Sequence, residues 1–188
     1  MQRKWLIALA ATILVFTASI AAASAQEAKG TIKGSVKNLT VGGSSVAGLD
    51  VTLLIFSGQE QSGEQTTKVD NQGNFVFEKL GTGSNFIYLI HLKHQEVDYG
   101  SEPLTFPADK TELNVEIPCF DATTAADAIS SPARHYLLNP DPDGVDVTEI
   151  VVLRNPTDKS YIGATEIEQG IRETVRFAIP ENAEDLAY

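Results

Sequence analysis

Past residue 26 the hydrophobic positions repeat with a period of two and seldom with a helical one. The chain therefore reads as short strands parted by turn residues. In Thr31-Ile32-Lys33-Gly34-Ser35-Val36-Lys37 apolar or small residues alternate with polar ones, which predicts a half-buried strand with Ile32 and Val36 inward. Residues 51–56 are nearly all apolar and suit the centre of a sheet. After a polar loop at 58–63, residues 65–69 run into Asp70-Asn71-Gln72-Gly73, where Gly73 can take the positive φ of a tight hairpin. Residues 74–80 then place Phe75 and Phe77 on one face, with Val76 and Glu78 on the other. Segments 86–92, 97–99, 103–106 and 111–117 complete a set of about seven strands in about 90 residues, the complement of one sandwich.

Residues 119–132 are rich in Ala, Thr, Asp and Ser without a strand pattern and read as a linker, with a short helical turn over 124–129 as the alternative. A second β pattern follows in 133–188. Its strands are expected at 134–138, at 145–154, near Tyr161 and at 174–179, where Val175, Phe177 and Ile179 alternate with polar or small residues. About four strands are too few to cover such apolar positions and protect their own edges. The region is thus expected to be incomplete as it stands, the front of a longer protein, and to expose apolar surface.

The first 25 residues change the picture of where this happens. Arg3 and Lys4 precede an apolar stretch over residues 5–20, and Ala23-Ser24-Ala25 supplies a small-x-small cleavage pattern. These are the parts of a secretory signal peptide, cut before Gln26. Without Arg3 and Lys4 the remainder carries 12 basic against 25 acidic residues, a net of −13 where the whole chain has −11. Such a surface repels phosphate backbones and anionic headgroups, so nucleic acid is excluded as a partner and a membrane is met only through an anchor beyond Tyr188. Cys119 is the single cysteine, so no internal disulfide staples the fold. It reads as a small buried residue at a strand end.

Three stretches carry a family resemblance. They are Gly34-Ser35-Val36-Lys37-Asn38, then Val46-Ala47-Gly48-Leu49-Asp50-Val51-Thr52-Leu53, and the hairpin Thr67-Lys68-Val69-Asp70-Asn71-Gln72-Gly73-Asn74-Phe75-Val76-Phe77. With residues 80–88, they make 29–118 resemble the carboxypeptidase regulatory-like domains, transthyretin-like (prealbumin-like) β-sandwiches of secreted bacterial proteins. Val46 stands where that family usually has proline. Residues 133–188 resemble more loosely an immunoglobulin-like module, through Val147-Thr148-Glu149-Ile150 and Asn155-Pro156. The resemblance implies an all-β protein: a seven-stranded sandwich, then an incomplete Ig-like β region. It also implies a non-catalytic role in stability, spacing or adhesion at the cell exterior. The partners implied are other extracellular domains or surface polymers, with a carbohydrate or small-ligand module as the alternative.

Candidate chemistry is sparse, and no catalytic residue is assigned. The related hydrolase of purine degradation shares the fold, but its C-terminal Tyr-Arg-Gly-Ser is absent here. His91 and His94 lie three apart on one strand and so face opposite sides; both are read as exposed, and with His135 they form no metal spacing. No cofactor is implied. Asp141, Asp143 and Asp146 around Gly144 form the one acidic loop that calcium would suit, with a solvated, ion-free turn as the competing reading. Asn38-Leu39-Thr40 matches a glycosylation acceptor, relevant only to a eukaryotic secretory route. Sugar sites need aromatic platforms, and Tyr88, Tyr99, Tyr136 and Tyr161 are scattered along the chain.

Overall fold

The computed structural model describes residues 29–142, 144–179, 181, 183 and 184. The segment read as a signal peptide, Asp143 and Tyr188 lie outside the described residues. The chain is all-β. Seven strands make two sheets: β1 (Gly30–Asn38), β2 (Asp50–Ser57), β3 (Glu60–Lys68), β4 (Asn74–Leu80), β5 (Phe86–His94), β6 (Val97–Gly100) and β7 (Glu112–Cys119). One sheet has the order β4-β1-β7, and the other β3-β2-β5-β6. β1 runs antiparallel to β4 and parallel to β7.

The period-two pattern decides what lies between the sheets. Ile32, Val36, Phe75, Phe77, Ile117 and Cys119 point inward from the first sheet, and Val51, Leu53, Tyr88, Ile90 and Leu92 from the second. All are buried, while Lys33, Lys37, Glu112 and Glu116 take the outer face and pair as Lys33–Glu112 and Lys37–Glu116. These exposed pairs add little to stability; the apolar layer carries it. Tyr88 is the largest fully buried side chain, and its hydroxyl donates to the Gly81 carbonyl at 2.6 Å.

Two local expectations were short of the mark. The polar loop expected at 58–63 is mostly strand, because β3 begins at Glu60 and only Gly58-Gln59 turn. The strand expected at 103–106 shrinks to one bridge, Leu104 with Tyr88. The 70–73 hairpin forms as read. Gly73 has φ 85°, Asp70 Oδ1 accepts the Gln72 and Asn74 amides, and Gly73 N donates to Asp70 O. A Cβ on Gly73 would sit 3.0 Å from the Val36 carbonyl oxygen in a backbone region that L-residues avoid. Gly73→Ala is expected to cost about 1–2 kcal/mol, read as a lower denaturation midpoint.

Beyond β7 the chain forms β8 (Ala122–Thr123), a 3-10 turn (Ala126–Ala128), and a long hairpin of β9 (Ser130–Pro140) and β10 (Val145–Arg154). It then forms β11 (Ser160–Tyr161), parallel to β8, and a small hairpin of β12 (Thr165–Glu168) and β13 (Ile171–Glu173). Residues 174–179, expected as a strand, are unpaired, and β12–β13 forms ahead of them. Exposed apolar side chains concentrate in this region: Leu137, Leu138, Val145, Val147, Ile150 and Phe177 are all about half exposed or more.

Candidate functional site

Beside the end of the sandwich, where β7 gives way to β8, the side chains of His94 and Gln95 from one stretch and of Asn38 and Ser44 from another converge on Asp121. Alternation explains the first. Tyr88, Ile90, Leu92 and His94 share a parity on β5, so His94 continues the inward face and is only 3% exposed, not exposed as expected. Its Nε2 lies 2.9 Å from Asp121 Oδ1. The same carboxylate oxygen accepts from Asn38 Nδ2 at 2.6 Å, Ser44 Oγ at 2.7 Å and Gln95 Nε2 at 3.1 Å, while Oδ2 accepts the Ser44 amide at 2.9 Å. The Ser44 hydroxyl and then the His94 ring hold the Asp121 carboxyl well below the usual carboxylate range.

Gln95 reaches this carboxylate at the cost of backbone strain. β5 and β6 are joined by Gln95-Glu96, both with positive φ (47° and 71°). A two-residue turn of this kind favours Asn-Gly, and a residue with a full side chain in the left-handed region carries about 1–2 kcal/mol. Both side chains are engaged with the residues beyond β7. Gln95 Oε1 accepts the Ala122 amide at 2.8 Å, and Glu96 pairs with Arg172 at 3.2 Å. Thr40 adds a second tie: its hydroxyl donates to Asp158 O at 2.6 Å and accepts the Asp121 amide at 2.9 Å. Asp158 Oδ2 accepts the Val41 amide, and Tyr99 OH is bonded to Phe120 and Ser160. The arrangement is a clamp that fastens the loop after β1 and the β5–β6 turn to both feet of the β9–β10 hairpin.

A serine, a histidine and an aspartate thus meet here, yet without the geometry of a nucleophilic relay. In a relay the hydroxyl and the carboxylate address opposite ring nitrogens. Here Ser44 Oγ (3.3 Å) and Asp121 Oδ1 (2.9 Å) both address Nε2. A carboxylate only accepts, so Nε2 carries the proton and cannot take one from Ser44. The Ser44 hydroxyl instead donates to Asp121.

The other candidates fall elsewhere. Asp141 Oδ1 accepts the Gly144 amide at 2.8 Å and caps the turn between β9 and β10, and Asp146 stands opposite Asn139 on the ribbon. Among the described residues no three His, Cys, Asp or Glu side chains converge as metal ligands. Asn38 is committed inward, donating to Ser44 O and Asp121, so the acceptor motif presents no free amide. Tyr88 is in the core, Tyr99 and Tyr161 are half-buried, and Tyr136 is out on the ribbon, so these four share no platform. Cys119 is fully buried, and burial followed by the Asp121 charge pushes its thiol up to about 11. It should resist alkylation by iodoacetamide in the native protein and react at once in denaturant. Rapid native labelling would show that β7 opens at its end.

No family model matches the chain, and no curated protein is significantly similar to it. Sequence reasoning missed the clamp because its parts are far apart in the chain. The one available signal was the parity of His94 on β5.

Proposed function

We propose that the chain is a non-catalytic module of the cell exterior, with a structural or adhesive role in a larger extracellular protein. The observation that carries this reading is the clamp. Its side-chain bonds and one strained turn are spent on holding one β region against another, which suits a part that must keep its neighbours in a fixed relation. The signal-like residues 1–25 and the acidic remainder suit export, and the seven-stranded sandwich agrees with the carboxypeptidase regulatory-like resemblance of 29–118.

Two measurements test it. Exported material should begin at Gln26 by intact mass and be removed from whole cells by added protease; a cytoplasmic chain that keeps Met1 would sink the proposal. In the purified chain, Gln95→Asn with Glu96→Gly should relax the β5–β6 turn while loosening the joint. The sandwich should then melt no lower, yet limited proteolysis within residues 120–128 should speed up. Unchanged proteolysis would show that the clamp does not hold the joint.

A further inference from the structure

We propose that β10 is a self-association edge, pairing antiparallel with β10 of a second copy about a two-fold axis at Ile150. β9 and β10 form a two-stranded ribbon with no third strand among the described residues, so each has one unpaired edge. The two edges are not alike. β9 contains Pro132 and Pro140, which lack N–H groups, and a bulge, since its four residues Ser130 to Ala133 face only three of β10, Val152 to Arg154. Prolines and bulges are the devices that keep an edge from pairing. β10 has neither: its ten residues are regular, and Val145, Val147, Ile150, Val152 and Leu153 are exposed. An unprotected apolar edge of this length is a template for another strand.

The sequence of β10 selects its own copy as that strand. Residues opposed across an antiparallel pair turn their backbone groups either toward each other or both away, so a strand pairing with itself through one edge matches only residues of equal parity. The axis must then pass through a residue. Centring it on Glu149 would set that carboxylate against its own copy, a destabilising like-charge pair. Centred on Ile150, the pairing sets Asp146 against Arg154 of the partner subunit at both ends. Val147 then meets Leu153 of the partner subunit, and Thr148 meets Val152 of the partner subunit. Neither Asp146 nor Arg154 has an ion-pair partner within the described residues, so both are available for this contact. The result is a four-stranded antiparallel sheet across a closed, isologous dimer.

Light scattering of the purified chain should give a dimer. Ile150→Cys should oxidise to a covalent dimer, since the two copies of this residue lie directly opposed within disulfide reach; Val147→Cys should not. Cys119 is buried and does not compete. Arg154→Glu should weaken the dimer at least about tenfold. Asp146→Arg combined with Arg154→Glu should restore it, with circular dichroism unchanged throughout. A monomer, equal cross-linking at positions 147 and 150, or a charge reversal without effect would each overturn the proposal.

Discussion

Replacing Asp121 with alanine should lower the stability of the sandwich by about 3 kcal/mol, as much as removing one partner of a buried polar cluster usually costs. Among the described residues the carboxylate and the Ser44 hydroxyl are the groups within hydrogen-bond reach of His94 Nε2, and His94 is 3% exposed. Without it a buried ring N–H loses its acceptor, Asn38 and Gln95 lose one each, and Ser44 loses two. For a domain of this size the melting temperature should fall by roughly 12–24 °C. Asp121→Asn should recover little, because its amide turns a second set of donors toward donors. A fall within about 2 °C of zero would mean that water replaces the carboxylate and the clamp is idle.

The same residue sets an acid limit. Its folded-state pKa is depressed, with the Ser44 hydroxyl the largest cause and His94 next. A depressed carboxylate contributes stability that is fully present above its unfolded value, about 4, and that is lost as pH falls toward the folded value. The gap between the wild-type chain and Asp121→Asn should therefore be flat from neutrality down to about pH 5 and shrink below about pH 4.

How much of this was legible depended on the range of each interaction. Alternation placed Ile32 and Val36 inward, set Phe75 and Phe77 on one face and pointed to the sandwich, because a strand's faces follow from neighbouring residues alone. The 70–73 turn was legible for the same reason: Asp70 and Gly73 do their work within four residues. Asp121 was read as part of a linker since its partners Asn38, Ser44 and His94 are 83, 77 and 27 residues away. Nothing in a period or a spacing links positions so distant. The 165–173 hairpin was missed on different grounds. Its strands are short and exposed on most positions, while the more apolar 174–179 had the stronger pattern and stayed unpaired.

Gly34 shows how a small residue in an alternating strand can be read correctly as inward and still have its reason hidden. It stands between Ile32 and Val36 on the core face of β1, directly across from Phe75 on β4. The Phe75 ring lies over the glycine, so a Cβ built on Gly34 collides with the ring itself. The ring cannot simply slide aside, because it packs edge-to-face on Phe77 at 5.7 Å and both are buried. Gly34→Ala should therefore act as an overpacking mutation, costing about 3 kcal/mol where one methyl group on an open strand would cost almost nothing. The cause can be separated from a general intolerance of β1 by a double-mutant cycle. Phe75→Leu alone opens a small cavity and also destabilises, but combined with Gly34→Ala it gives the new methyl group room. The pair should be less destabilised than the sum of the two by about 1–2 kcal/mol. Strict additivity in equilibrium denaturation would mean that the ring does not occupy the space above Gly34, and that the inward face of β1 is packed differently from the arrangement described.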